Sequence, residues 1–213
     1  MHPFPLRQEL KMPRRLMPIC AFVATIACSP GASVAQADPF WLRSWNEAQN
    51  SRPLTIASHG RIAPKDERGT PLTVHGRIVG PDGHTPAKDV VVHAYHRDSD
   101  GFDFGPNDAA LRTWRLQGCV KTDAEGRFEF QTIRPAPDNL GREGSHIHFT
   151  VESPDFGRQW APTLFFADDP LVTERQRRQS IDAGEFGEVR KISIVDGVQR
   201  VEVKIRLKEK ADF

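Results

Sequence analysis

The sequence predicts an all-β fold: an antiparallel β-sandwich of about eight short strands with one short helix after the core. Two observations carry this. From Leu72 onward, apolar and polar residues alternate with a period of two in short runs. Turn-forming clusters separate the runs, among them Pro81-Asp82-Gly83, Asp123-Ala124-Glu125-Gly126 and Asp196-Gly197, in a chain with 17 prolines and 16 glycines. There is no internal repeat and no low-complexity segment.

Residues 1–37 read as an export signal, which places the mature protein in the periplasm or outside the cell. Lys11, Arg14 and Arg15 form a basic segment, Leu16 to Cys28 an apolar one, and Ala35-Gln36-Ala37 a small-x-small cleavage site ahead of Asp38. The apolar segment is too short for a membrane span. Arg14-Arg15 hints at twin-arginine export, and Thr25-Ile26-Ala27-Cys28 loosely resembles a lipoprotein site, ranked lower because Thr25 fits it poorly. Cleavage after Ala37 would leave Cys119 as the sole cysteine, so no intramolecular disulfide could form.

Residues 38–71 read as an N-terminal helix and arm. Asp38 is placed to cap a helix to Asn50 with Pro39 in its first turn, and Phe40, Trp41 and Trp45 as packing anchors. Ser51 to Pro71 is a connecting arm of Pro, Gly and mixed charge. The sandwich domain spans 72–210. Leu72–Val79 and Asp89–His96 are strands, and Arg97–Arg112 is a loop rich in Asp and Gly. Gly118–Thr122 and Arg127–Ile133 read as a hairpin about the Asp123–Gly126 turn. Arg134–Gly144 is a loop, Ser145–Val151 a strand, and Trp160–Ala167 an apolar strand. Asp169 and Pro170 open a helix that runs to Asp182. Val189–Val195 and Val198–Leu207 form a final hairpin through Asp196-Gly197.

With 29 basic and 28 acidic residues and a formal charge of +1, nothing points to nucleic acid or an anionic membrane. No Gly-rich phosphate loop and no Ser-His-Asp arrangement is present. The chemistry-bearing stretch is Ser145-His146-Ile147-His148-Phe149-Thr150-Val151. On a strand, residues two apart share a face, so both imidazoles leave together with their Cα atoms about 6.6 Å apart. Two neutral histidines at that spacing can converge on one metal ion. The alternative for this pair alone is two polar residues on a solvated face. His93 and His96 would point to opposite faces of one strand, so at most one could join them. Arg142 and Glu143 precede the histidines and are candidate pocket residues, as are Thr163 and Phe165. Cys119 reads as a small buried hydrophobe, and Tyr95, the one tyrosine, as structural.

Four blocks, in order, resemble the intradiol ring-cleavage dioxygenases, the family of protocatechuate 3,4-dioxygenase and catechol 1,2-dioxygenase. They are Val74-His75-Gly76-Arg77-Ile78-Val79 with Gly83; Ala94-Tyr95-His96-Arg97-Asp98-Ser99-Asp100-Gly101; Gly118 to Phe128 running on to Thr132-Ile133-Arg134-Pro135; and His146-Ile147-His148-Phe149 followed by Leu164 to Pro170. The resemblance covers Gly69 to Asp169 and is closest to the exported type with a short arm. It implies a β-sandwich carrying a ferric ion held by two tyrosines and two histidines. The histidines correspond to His146 and His148. The tyrosine positions correspond to Asp103 and Asp138, of which the second is the better anchored.

The implied site is therefore two histidines and two aspartates. Non-haem iron is the implied cofactor, Fe(III) by resemblance, with Fe(II), Mn or Zn compatible with carboxylate ligands. The implied partners are dioxygen and a small catechol-like aromatic; a homo-oligomer is compatible with the sequence. Aspartate, with a reference pKa near 3.9 against about 10 for tyrosine, is a far weaker proton acceptor. Two expectations follow. One is an exported non-haem iron dioxygenase that inserts dioxygen into a catechol-type ring. The other is a non-catalytic binding module that keeps the sandwich and has lost the ferric-tyrosinate site.

Overall fold

The computed structural model describes residues 37–104 and 113–213. All but the last residue of the predicted export signal, with Arg14-Arg15 and Cys28, and the second half of the Arg97–Arg112 loop lie outside the described residues. Helix α1 (Pro39–Asn50) leads into β1 (His59–Arg61), β2 (Pro71–Val79), β3 (Val91–His96), β4 (Leu116–Lys121), β5 (Arg127–Ile133), β6 (His146–Ser153), β7 (Gly157–Trp160) and β8 (Leu164–Phe166). Then come helix α2 (Glu174–Asp182), a 3₁₀ turn at Gly184–Phe186, β9 (Val189–Arg190), β10 (Ile192–Val195) and β11 (Val198–Arg206). Among the described residues no helix is long and apolar enough to cross a membrane.

The strands form two sheets in the orders β1-β5-β2-β11-β10 and β4-β3-β6-β8-β9, with β7 also paired to β6. The sheets face each other across a common core. Val74, Ile78, Phe128 and Phe130 come from the first sheet; Val92, Ala94, Ile147, Phe149 and Val151 come from the second. Each such side chain removed from water contributes about 1.5–3 kcal/mol. Gly76 is required by this packing: a Cβ there would lie 1.9 Å from the Phe128 ring, which crosses β2 at that point.

The β-sandwich expectation holds, with one correction: the sheets are mixed, not antiparallel. β1 runs parallel to β5, β11 to β2 and β8 to β9. A period of two identifies a half-buried strand but not its direction, and β2 and β11 are separated by most of the domain. Among the described residues the strand count also rises, to eleven. β1 lies within the arm, and the expected Trp160–Ala167 and Val189–Val195 runs each break. The Asp123–Gly126 turn forms, with Gly126 N–H donating to Asp123 O at 3.0 Å, but it is not a hairpin. It carries the chain from β4 in one sheet to β5 in the other. The Asp196-Gly197 hairpin forms as expected, with φ of 51° and 77° at the two turn residues and Val195 opposite Val198.

Helix α1 starts as expected, Asp38 accepting from Trp41 N–H at 2.9 Å. Helix α2 starts later than expected, at Glu174. Its cap is Thr173, in a reciprocal box with Gln176. Asp169 is buried instead, accepting from Ser145 N–H at 2.7 Å and Leu171 N–H at 2.8 Å. The competing partner was the β6 entry, distant in sequence.

Helix α1 covers the outer face of the second sheet. Trp45 Nε1–H donates to Thr150 Oγ1 at 3.1 Å, and Trp41 Nε1–H donates to the Tyr95 hydroxyl at 2.8 Å. Trp41 also packs on Trp160, ring centroids 3.9 Å apart, and Trp45 on the C-terminal Phe213 at 5.3 Å. The same outer face carries His93, Tyr95, His146 and His148.

Candidate metal centre

Strand β6 sends Ile147 and Phe149 into the core and His146 and His148 to the opposite face, beside β3 and β8. His148 stands opposite Tyr95, and His146 opposite Phe165. The His146 Nδ1–H donates to Gly144 O at 2.7 Å. This leaves His146 Nε2 with its lone pair, aimed at His148 Nε2 2.8 Å away. The rings meet edge to face, centroids 4.5 Å apart. Burial first, then the neighbouring His146 and Arg97, push the His148 pKa down to about 3. His148 is therefore neutral at physiological pH and can act as a ligand.

Two nitrogen ligands about 2.1 Å from one ion and at right angles to it lie about 3.0 Å apart. The histidine pair fits two adjacent coordination positions of a first-row metal. Its orientation is held from behind: Tyr95 stacks on His148 with centroids 4.9 Å apart, and Trp114 stacks on Tyr95 at 3.7 Å. Tyr95 is buried, and its hydroxyl is engaged by Trp41. Burial pushes its pKa up to about 12, with Asp103 adding to the shift. The chain's one tyrosine thus packs against His148 from the side.

The two aspartates engage other partners than the histidine pair. Asp103 Oδ2 lies 3.3 Å from Arg97 Nε. Asp138 Oδ1 accepts from Glu143 N–H at 2.8 Å and Arg142 N–H at 2.5 Å, which holds its carboxyl below the ordinary range, with Arg97 and Arg142 assisting. The two loops are packed together at Gly101 (φ 88°), where a Cβ would lie 2.6 Å from Pro137 O. Among the described residues the carboxylate brought nearest the pair is Glu143, its Oε2 3.8 Å from His146 Nε2 and 3.5 Å from Arg97 Nη1. Among the described residues, no three or more His, Cys, Asp or Glu side chains close around a metal position.

The remaining candidates separate cleanly. His93 and His96 point to opposite faces, as a strand requires. His96 lies on the core side, its Nδ1–H donating to Arg97 O at 2.6 Å and its Nε2 accepting from Thr132 Oγ1 at 2.7 Å. Phe165 packs beside His146, centroids 5.4 Å apart. Burial raises the Cys119 thiol to about 11, so it is not an activated nucleophile. Arg97, which joins Asp103 to Glu143, carries no spacing signal; its only sequence cue is its position at the start of the acidic loop.

The model of the dioxygenase family matches residues 53–190, well over half of the chain. Curated relatives make the family specific. Catechol 1,2-dioxygenase 1 of Acinetobacter lwoffii is 37% identical over 125 residues, 50% of this chain and 39% of that protein. The protocatechuate 3,4-dioxygenase beta chain of Burkholderia cepacia is 30% identical over 113 residues, 49% of this chain and 48% of that one. The chain belongs to the intradiol ring-cleavage dioxygenase family.

Solved intradiol structures share the fold. The catechol 1,2-dioxygenase of Acinetobacter sp. ADP1, inhibited by bound mercury, aligns at TM-score 0.54 and 18% identity over 81% of this chain and 71% of that one. The dioxygenase domain of a dioxygenase carbohydrate-binding protein fusion from Streptomyces sp. SirexAA-E aligns at TM-score 0.54 and 18% identity, over 73% and 91%. The matched region is about half or less of most of the curated relatives, 39% of one and 58% of another. The family generally uses non-haem iron, and the two histidine positions implied by the resemblance are His146 and His148 in this chain.

Proposed function

We propose that this chain is an exported, metal-dependent dioxygenase of the intradiol type, acting on a small catechol-like aromatic. The observation that carries the reading is the meeting of His146 Nε2 and His148 Nε2 at 2.8 Å on a buried strand. His146 and His148 would hold non-haem iron, or manganese, and a carboxylate from the mouth would complete the protein's share. Asp103 and Asp138 are the candidates by resemblance, and Glu143 is the nearest in space. A bound iron ion would supply Lewis acidity toward the two catechol oxygens and the redox capacity to bring dioxygen to the ring.

The chain's own groups would do the rest. Gly144 O fixes the His146 tautomer, and the Tyr95 ring fixes the plane of His148. Arg97 offers a guanidinium where a catecholate would bring negative charge. Phe165 supplies an apolar wall. Glu143 is the carboxylate placed to accept a phenolic proton, a task for which a tyrosinate is absent. Residues 1–37 would direct the protein out of the cytoplasm.

The binding-module reading is favoured by one observation: the sole tyrosine hydroxyl is buried and bonded to Trp41, so no tyrosinate reaches the histidines. Metal content separates the two. The full chain, purified without chelator or affinity metal, should carry near-stoichiometric iron or manganese, and His146→Ala/His148→Ala should lose it while staying folded. The loaded protein should consume dioxygen with catechol and should lack the reddish colour of ferric-tyrosinate. Absence of metal in a folded wild-type chain would leave the binding module. A visible charge-transfer band would place a tyrosinate on the metal and refute the carboxylate site.

A further inference from the structure

Outside the metal centre, a cavity of about 420 Å3 opens between the α1–β1 connection and the edge formed by β3 and β4. Its lining includes Arg52, Ile56, Ala57, His93, Gln117 and Cys119. His93 and Cys119 are cross-strand partners, so their side chains leave the sheet on the same face. His93 is only 3% exposed. Its Nε2–H donates to Gln117 Oε1 at 2.9 Å, which leaves Nδ1 as an acceptor. That Nδ1 is buried and has no hydrogen-bond partner. Burial pushes the ring's pKa down to about 4, so the acceptor persists at neutral pH. A buried acceptor without a donor is uncommon and points to a missing partner.

The rest of the cavity indicates what that partner is. Arg52 lines the same space, and its charge is felt by both His93 and Cys119. It is held only loosely, Nη1 lying 3.4 Å from Glu152 Oε2 and 3.4 Å from Gln49 Oε1. The neighbouring Gln49 Nε2 is a second buried group without a partner, and it is a donor. Ile56 and Ala57 supply an apolar wall. A molecule that satisfies these groups donates one hydrogen bond, accepts from a guanidinium, and has an apolar body between.

We propose that this cavity binds a small organic acid bearing one hydroxyl, its O–H donating to His93 Nδ1 and its carboxylate meeting Arg52. Glu152, already beside Arg52, disfavours a second negative charge on the ligand. The site is separate from the metal centre: the Tyr95 ring stands between His93 and His148, with centroids 5.5 Å and 4.9 Å from them. The inference therefore does not depend on metal binding.

Cys119 provides the readout. In the full chain, alkylation of Cys119 by N-ethylmaleimide is followed by peptide mass mapping, which separates it from Cys20 and Cys28. Saturating 4-hydroxybenzoate should slow Cys119 labelling several-fold. Benzoate, which lacks the hydroxyl, and 4-hydroxybenzyl alcohol, which lacks the carboxylate, should each protect about tenfold more weakly by concentration, the loss expected for one well-made hydrogen bond or ion pair in a buried site. Arg52→Gln, on a partly exposed side chain, should lose the same preference for the acid. If that variant does not fold, the ligand comparison on the unaltered chain still decides. Labelling at an unchanged rate with 4-hydroxybenzoate present, or equal protection by benzoate, would overturn the proposal and leave a water pocket.

Discussion

His146 and His148 stand on a strand paired on both sides, whereas Asp103, Asp138 and Glu143 stand on loops whose carboxylates answer to nearby amides and to Arg97. The strand half converges on one point because the pleat gives it no other choice. The loop half is placed by whichever donor is closest, and here those donors are Arg97 and the amides of Arg142 and Glu143. In a site assembled from both, the strand sets where a metal would sit, and the loops set its charge and reach.

The sharpest way to break this comparison is to damage the strand from behind. Ile147 lies between the two histidines, wholly buried in the core. Ile147→Ala should cost about 2–5 kcal/mol of stability, read by urea unfolding, and should weaken metal binding although neither histidine is touched. A destabilised variant with unchanged metal affinity would show that the histidine geometry does not depend on the packing beneath it.

This contrast also explains what was legible in the sequence. The pleat is a local rule, so the shared face of His146 and His148, and the opposed faces of His93 and His96, could be read directly. The Asp196-Gly197 hairpin was equally local. Strand direction was not, because β2 and β11 meet across most of the chain. Asp169 misled for the same reason: its local pattern is a helix cap, while its partner, Ser145 N–H, lies 24 residues away. Arg97 and Glu143 were beyond reach because a loop's guanidinium–carboxylate pairing leaves no period.

Acidification tests the buried rings next. His93 and His96 are held near pKa 4 by burial, against an ordinary value of 6.5. Their folded pKa values are depressed, so the unfolded chain binds more protons below pH 6.5 and stability falls as the pH drops. Between pH 7 and pH 5, in metal-free protein, each ring should remove up to about 2 kcal/mol. Unfolding free energies that match at the two pH values would contradict neutral, buried imidazoles.

Tyr95→Phe gives a smaller effect. It removes the acceptor for Trp41 Nε1–H and leaves that donor short of a partner, at a cost of about 1–2 kcal/mol. The ring remains, so its stack on His148 persists. Metal content and the visible spectrum should therefore be unchanged. Loss of either would make Tyr95 a ligand and erase the distinction drawn between a supporting ring and the ligating pair.

The smallest effect belongs to the loops, and it decides how far they matter. Glu143→Gln keeps the shape and removes the charge nearest His146. Asp138→Asn weakens acceptance from the Arg142 and Glu143 amides, which should exchange their hydrogens faster while global stability barely moves. If Glu143 completes the metal's surroundings, Glu143→Gln should lower affinity for Mn(II) by about tenfold, measured by titration of metal-free protein, with Asp103→Asn falling short of that through its hold on Arg97. Equal and negligible losses in all three variants would mean that the histidine pair binds alone, with the loops acting only as the rim of a substrate pocket. A larger loss in Asp138→Asn than in Glu143→Gln would mean instead that the Asp138 carboxylate leaves its amides when metal arrives, and that the loop-borne half of the site rearranges around the strand-borne half.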